Sequence, residues 1–457
     1  MERICPQLCL DLSRAMPKGN ILHITPHMGG GVGNVISGIA SSRDNSVIHQ
    51  IILLEQPVHR KFLNIALAAG VKVVIQPGGR LLYDLIKNSD ITIIHWWNHP
   101  KTAKLLRYFP AIPARVVLWT HVSCLTAPAL HPRMLLISSM VWFTSPASYE
   151  AEEFLALPPG VVQEKTGVVH GCAGFDHLPG VEPEEHAGFN IGYLGYVDFS
   201  KLHPDFILFC KEVGIPGAKF ILAGDAPAKD ILTKQARKQG IKNEFAYLGH
   251  VENIYQVLMG FDVFGYPLLP GHTGTTENAL LEAMAAKVPP VVLNQLAEKH
   301  IVRDGETGFL VSGRQEYGEA IRYLYNNPGK RREMGISARD YVLGKYSKSK
   351  ILQSFYAGVE IVMKQPKKRI CFKDIMGKTP AQWFASCLGR EGHRFARSLL
   401  AGVDGQTPEI KRLILNCSPL LKGENKSSVF HYAREFPGDP MLRTWADILR
   451  ESSENDA

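Results

Sequence analysis

The sequence predicts an α/β protein built from two doubly wound parallel sheets in tandem, followed by a mainly helical tail. Three observations predict it. Short β-branched runs ending in polar or glycine punctuation alternate with helix-like segments, the pattern of βαβ units. That alternation breaks once, at "PGVEPEEHAG" (179–188), and then restarts. The chain has 457 residues, more than one core holds, since single cores stop growing at roughly 250–300 residues.

The first half carries "NILHIT", "SVIHQIILLE", "VKVVIQ", "DITIIHW", "RVVLWTHV", "MVWFTS" and "TGVVHG" as strands. "VGNVISGIASSR" and "HRKFLNIALAAG" are helices between them. After the break come "FNIGYLGYV", "KFILAGDA", "EFAYLGHV", "DVFGYP", "PPVVLN" and "GFLVSG". Near-continuous apolar strands of this kind belong to parallel sheets covered on both faces. "SKSKILQSFYAGVEIVMK" (347–364) reads as one amphipathic helix, and a basic "KQPKKR" precedes the tail. The expected division is therefore 1–185, 186–346, a crossover helix at 347–365, and a helical tail at 366–457. Two such halves place a ligand cleft between them by default.

Composition narrows the class. With 45% hydrophobic and 21% charged residues, the chain is an ordinary globular protein. A formal charge of +8 points to an anionic ligand or surface, but no long basic run suggests nucleic acid. Eight scattered cysteines (5, 9, 124, 172, 210, 371, 387, 417) include no C-x-x-C pair, as expected for reduced thiols in a cytoplasmic chain. The N-terminal stretch lacks a secretory apolar core. No run reaches the ~18–20 apolar residues of a transmembrane segment, so any membrane contact would be peripheral.

The chemistry concentrates in "HTGTTENALLEAMAAKVPPVV" (272–292). Its helix is apolar almost all round, yet carries Glu282 with no cation at i±3 or i±4. A buried carboxylate needs hydrogen-bond donors. A ligand diol such as a ribose would supply them, and so would a distant Lys, Arg or backbone amide. The loop ahead of it, with His272, Gly274, Thr275 and Thr276, offers free N–H groups and a positive dipole end to phosphate oxygens. Glu277 suits a first turn in any helix. It stands five residues, about 140°, from Glu282, so the two do not share a face.

These residues carry a family resemblance. "ENALLEAMAAKVPPVV" followed by "VRDGETGFLV" resembles the C-terminal half of retaining GT4-type glycosyltransferases, nucleotide-sugar-dependent enzymes of the GT-B fold (glycosyl transferases group 1). Their pattern is a loop Glu, seven residues, then a Glu in "LLEAMA", and later "DG-TG-LV". The second Glu falls on Glu282, and the later motif on Asp304, Gly305, Thr307, Gly308 and Leu310. The resemblance gives Glu282 the ribose hydroxyls of the donor. The first Glu, which contacts the donor sugar, falls on Gly274, a departure for which Glu277 or His272 are the candidate substitutes. "GYLGYVDFSKLHPDF" (192–206) is similar to the element that grips the donor pyrophosphate. Lys201 matches its lysine, and Tyr196 replaces its arginine.

"HITPHMGGGVGNVISGIA" (23–40) resembles the family's N-terminal glycine loop, with Gly30, Gly31 and Gly33 letting phosphate or acceptor approach the backbone. A dinucleotide fingerprint running on to Glu55 fails there, because Ile36 stands where the third glycine belongs. His121 ends a strand where the family carries a histidine facing the transferred sugar. The H-x-x-x-H pairs His23/His27 and His95/His99 lie on no expected helix, so no metal is expected. There is no Asp-x-Asp and no G-x-S-x-G elbow.

The resemblance implies a metal-independent hexosyltransferase without a cofactor. It would move a sugar from a nucleotide-diphosphate donor to a glycan or lipid-linked acceptor with retention, from the cytoplasmic side and with peripheral membrane contact at most. The expected roles are catalytic for His121, Lys201 and Glu277. Donor binding falls to Gly30, Gly31, Gly33, Tyr196, Lys201, His272, Gly274, Thr275, Thr276 and Glu282. The alternatives are a GT-B epimerase or phosphorylase, and a degenerate chain that binds glycan or nucleotide without turnover.

Overall fold

The computed structural model describes residues 19–42, 47–175, 186, 188–423 and 427–455. Cys5, Cys9 and most of the 179–188 break lie outside them. The chain forms two compact units, one of Met1–Ala173 with Leu352–Ala457, the other of Gly174–Ile351.

In the first unit the strands are β1 (Gly19–Thr25), β2 (Val47–Leu53), β3 (Lys72–Ile75), β4 (Ile91–Trp96), β5 (Pro113–Ala114), β6 (Val116–Thr120), β7 (Met140–Phe143) and β8 (Thr166–Val168). All but β5 form a seven-stranded parallel sheet in the order β3-β2-β1-β4-β6-β7-β8. Every residue of β4 and β6 is buried, which is why those segments read as mostly apolar runs without a polar alternation. The strand order reverses between β1 and β4, the switch point at which open α/β sheets bind ligands. There the chain leaves β1 for helix α1 (Gly30–Ala40). Gly33 is required at that turn, because a Cβ would run into the Met28 carbonyl.

The C-terminal segment folds onto this same unit. Strand Lys368–Arg369 pairs antiparallel with β5. Phe372, Trp383, Phe384 and Trp445 are buried in one core with Leu118, Val141 and Phe143. Its helices start where the sequence caps them. Thr379, Thr407 and Ser418 accept from backbone N–H groups of the first turn, and a proline follows each, the favoured cap-and-Pro start.

The second unit holds β9 (Asn190–Leu194), β10 (Lys219–Ala223), β11 (Phe245–Gly249), β12 (Val263–Tyr266), β13 (Pro290–Leu293) and β14 (Phe309–Val311). They form a parallel sheet in the order β11-β10-β9-β12-β13-β14, again doubly wound, with its switch point between β9 and β12. Helix α2 (Asn278–Ala285) follows β12. Helix α3 (Lys348–Met363) spans the residues at which the second unit gives way to the first.

Candidate functional site

The loops after β9 and β12 leave the C-terminal ends of neighbouring strands at the switch point of the second sheet. They are tied together by a bridge between Leu202 and Leu268 and by Leu269 N–H donating to the Lys201 carbonyl at 2.8 Å. This tie sets Lys201, on the first loop, against Glu277, at the end of the second.

Glu277 is the centre of the cluster. Its Oε2 accepts from the Tyr266 hydroxyl at 2.9 Å and lies 3.3 Å from Lys201 Nζ. His272 Nδ1 stands 3.8 Å from its other oxygen. Burial alone would raise the Glu277 carboxyl, but the charges of Lys201 and His272 and the bonds from Tyr266 and Lys201 outweigh it and hold it below the ordinary range. The carboxylate is therefore ionised although the residue is 7% exposed. Tyr266 moves the other way: burial and the Glu277 charge push its hydroxyl well up, so it remains a donor.

His272 is held from both sides. Its Nε2 meets Glu298 Oε1 at 2.8 Å, and its Nδ1 accepts from Gly274 N–H at 3.0 Å. Burial pulls its pKa down, but Glu298 and Glu277 together raise it above the ordinary value. Protonating Nδ1 would forfeit the Gly274 bond, so loop geometry and local charge pull the ring in opposite directions. Glu298 is fully buried and was not singled out from the sequence. Its only sequence signal is an acid three residues after Gln295, which donates to the same oxygen at 3.3 Å.

Two expectations about this stretch need correction. Glu277 is not a first-turn acid. It is the N-cap residue of α2, in the left-handed region at φ 40°, and the first turn has no acidic side chain. Nor is α2 buried all round: Leu280, Leu281, Ala283, Met284 and Ala285 have no exposure, whereas Glu282 is half-buried. The helix thus turns Glu282 toward its more open side.

Gly274 gains a physical explanation. A Cβ at that position would overlap Glu277 Oε1. The Glu277 carboxylate occupies the space in which a residue-274 side chain would begin.

The other site residues of this unit divide. Thr275 and Thr276 are buried in the loop. Lys201 Nζ lies 5.3 Å from the Tyr266 ring centre. The Tyr196 side chain is 50% exposed, and its carbonyl accepts from the buried Tyr193 hydroxyl at 3.1 Å. The "DGETG" motif closes on itself: Asp304 Oδ1 accepts from Leu310 N–H at 2.9 Å, and Thr307 Oγ1 from Arg303 N–H at 2.9 Å. A cavity of about 320 Å³ lined by His203, Asp205, Asn294, Gln295 and Arg314 among others opens nearby, without Lys201, Glu277 or Glu282 in its wall.

In the first unit Gly30, Gly31 and Gly33 lie within the first turn of α1 rather than in a loop before it. His121 follows β6, its Nε2 2.8 Å from His95 Nδ1. The two H-x-x-x-H pairs are re-sorted: His23 meets His95 at 3.1 Å, while His27 and His99 gather with Glu55. This trio could in principle hold a cation. However, His27 Nδ1 accepts from Gly29 N–H and His99 Nδ1 from Lys101 N–H. Each neutral ring then carries its proton on Nε2, and His99 Nε2 lies 3.6 Å from the Glu55 carboxylate. Binding a metal through these nitrogens would cost both backbone bonds, so the donor set suits a carboxylate better than a cation.

Residues 182–341 match the family model described as Glycosyl transferases group 1. Over 149 residues the chain is 27% identical to N-acetyl-alpha-D-glucosaminyl L-malate synthase of Bacillus anthracis, a stretch covering 32% of this chain and 38% of that protein. Alignments to the curated relatives span 28–38% of those proteins' own lengths. Among solved structures, Anabaena Alr3699/HepE in complex with UDP and glucose superposes with a TM-score of 0.60 at 19% identity, covering 75% of this chain and 99% of that one. A glycosyltransferase from Rickettsia africae ESF-5 does so with a TM-score of 0.61 at 15% identity, covering 79% and 100%. These two likenesses establish the GT-B fold. The likeness to the glycosyl transferases group 1 lies in residues 182–341 of this chain.

Proposed function

We propose that the protein transfers a sugar from a nucleotide-diphosphate donor to a glycan or lipid-linked acceptor, with retention and without a metal. The observation that carries this reading is the Lys201–Glu277 cluster at the switch point of the second sheet, inside the residues that match the family. The barrier to transfer lies in breaking the anomeric C–O bond to a diphosphate. Lys201 is the cation offered to that leaving group, where fixed charge acts most strongly on charge that develops late. With Tyr196 in place of the resemblance's arginine, it carries that work with one cation fewer.

Glu282, on the open side of α2, is assigned to the ribose diol. Glu277 is assigned to the donor sugar: its carboxylate fills the side-chain space of residue 274, where the family's pattern has a Glu, and so delivers the same group from three residues later. This speaks against the degenerate, non-catalytic alternative, which the loss at Gly274 would otherwise favour. The name of the Bacillus anthracis relative includes L-malate, while the lipid or glycan acceptor proposed here rests on the family resemblance and the basic charge balance. No described helix is long and apolar enough to cross a membrane, and we place the protein on the cytoplasmic side with peripheral contact at most.

Substituting Glu282→Gln tests the donor assignment. An amide accepts from two hydroxyls less well than a carboxylate, so nucleotide affinity should fall on the order of ten- to a hundredfold. Calorimetric titration with UDP, GDP and dTDP reads it. Unchanged affinity in a folded variant removes Glu282 from the site.

A further inference from the structure

Four histidines of the first unit stand in a diagonal row on one face of its sheet. The register sets Ile21 opposite His49, His23 opposite Ile93, and His95 opposite Trp119. Residues two apart on a strand share a face. Hence His49, His23, His95 and His121 all point the same way, each displaced two residues along from its neighbour. Phe355 of α3 stacks on His23 at 6.1 Å, and Trp119 flanks His95 and His121 at 5.3 Å each.

The rings are joined end to end. His121 Nε2 meets His95 Nδ1 at 2.8 Å, His95 Nε2 meets His23 Nδ1 at 3.1 Å, and His23 Nε2 meets His49 Nδ1 at 3.0 Å. His49 Nε2 then meets the Tyr356 hydroxyl at 3.3 Å, which lies 3.4 Å from Ser42 Oγ. Burial pushes His23 and His95 well below the ordinary histidine value and His121 down to about 3. The rings of His23, His95 and His121 are therefore neutral, each with one N–H and one lone pair. In such a row one bond's direction dictates the next, because a reversed link would set two N–H groups, or two lone pairs, face to face in the interior.

The direction is set at the far end. Ser42 Oγ donates to the Ile39 carbonyl at 2.6 Å, and a carbonyl only accepts. Ser42 Oγ is left to accept from the Tyr356 hydroxyl, whose oxygen must then accept from His49 Nε2–H. Followed strand by strand, every ring takes the Nε2–H form.

We propose that Ser42 and Tyr356, acting through this row, hold His121 with an unprotonated Nδ1 at the C-terminal edge of the first sheet, where it accepts a hydrogen bond from a ligand hydroxyl and rejects groups that can only accept. Ser42, Tyr356, His49, His23 and His95 are positioning residues, while His121 touches the ligand. The ligand half of this assignment rests on the transferase reading, whereas the tautomers do not.

The test is ¹⁵N NMR of histidine-labelled, ligand-free protein, in which tautomers are read from the ring nitrogens. The wild type should show His23, His49, His95 and His121 all as Nε2–H. In Ser42→Ala the Tyr356 hydroxyl is released to donate to His49, and in the near-isosteric Tyr356→Phe the acceptor is removed. Both should shift His121, four links from Tyr356 and five from Ser42, toward Nδ1–H together with its neighbours. A wild-type row of mixed tautomers, or a His121 unmoved in both variants, overturns the proposal. In parallel, turnover of an accepted nucleotide sugar should fall about tenfold in Ser42→Ala, the worth of one hydrogen bond. Reversed tautomers with undiminished turnover overturn the ligand half. A wild type without turnover counts against the transferase reading, and the tautomers still decide the row.

Discussion

At Glu277 an unfavourable backbone holds a favourable side chain. A non-glycine residue in the left-handed region costs on the order of 1–3 kcal/mol, and here it aims the carboxylate back into its own loop between Tyr266, Lys201 and His272. The consequence is a pH signature. The folded pKa of Glu277 is depressed below the ordinary 4.5, so its contribution is present in full above that value and is lost as pH falls through the lower folded value. His272, with its pKa raised above 6.5, works in the opposite sense: its contribution is present below 6.5 and is lost as pH rises through its folded value. The acid limb therefore isolates Glu277. Glu277→Gln should lower stability at neutral pH by about 1–3 kcal/mol, and the gap to wild type should narrow as pH drops below the ordinary carboxylate range. Urea unfolding across that range checks this, and parallel profiles for the two proteins would contradict it.

At the scale of elements, the strands of both parallel sheets were legible because burial on both faces leaves mostly apolar runs such as β4 and β6. The pair formed by β5 and Lys368–Arg369 was not, since two residues of Pro-Ala and Lys-Arg carry no period. Positions were legible where one local motif holds them, as with the placing of Glu282 on α2. They were not where strand order brings them together. Lys201 meets Glu277 because β12 is inserted beside β9. The H-x-x-x-H spacing suggested His23 with His27 and His95 with His99, but each pair straddles the end of a strand. The sheet instead sorts the residues by position across it, giving His23 with His95 and His27 with His99. The role of Gly274 was hidden for a related reason: only the left-handed turn at Glu277 shows which side chain fills its place.

For the molecule as a whole, the C-terminal segment is part of the first unit. Ser427 and Tyr432 bond the loop after β4, through the Trp97 carbonyl at 2.9 Å and Asn98 Oδ1 at 2.6 Å, and Glu435 is held by Lys101 and Lys104. Trp445 is fully buried, donates to Ser398 Oγ at 2.8 Å and packs on Phe395 at 4.9 Å. Trp445→Ala should cost about 3–5 kcal/mol and raise hydrogen exchange in β4 and β6 as well as in the tail. Exchange raised in the tail alone would show that the segment is stabilised independently. The central claim is that the cluster at the second switch point binds a nucleotide sugar for transfer. The most direct measurement is release of free nucleotide when the protein is incubated with UDP-, GDP- and dTDP-sugars and candidate glycan or lipid-linked acceptors. The account predicts acceptor-dependent release from one nucleotide class, abolished or strongly reduced in Glu277→Gln. Binding of a nucleotide sugar without release, across the whole panel, would contradict it.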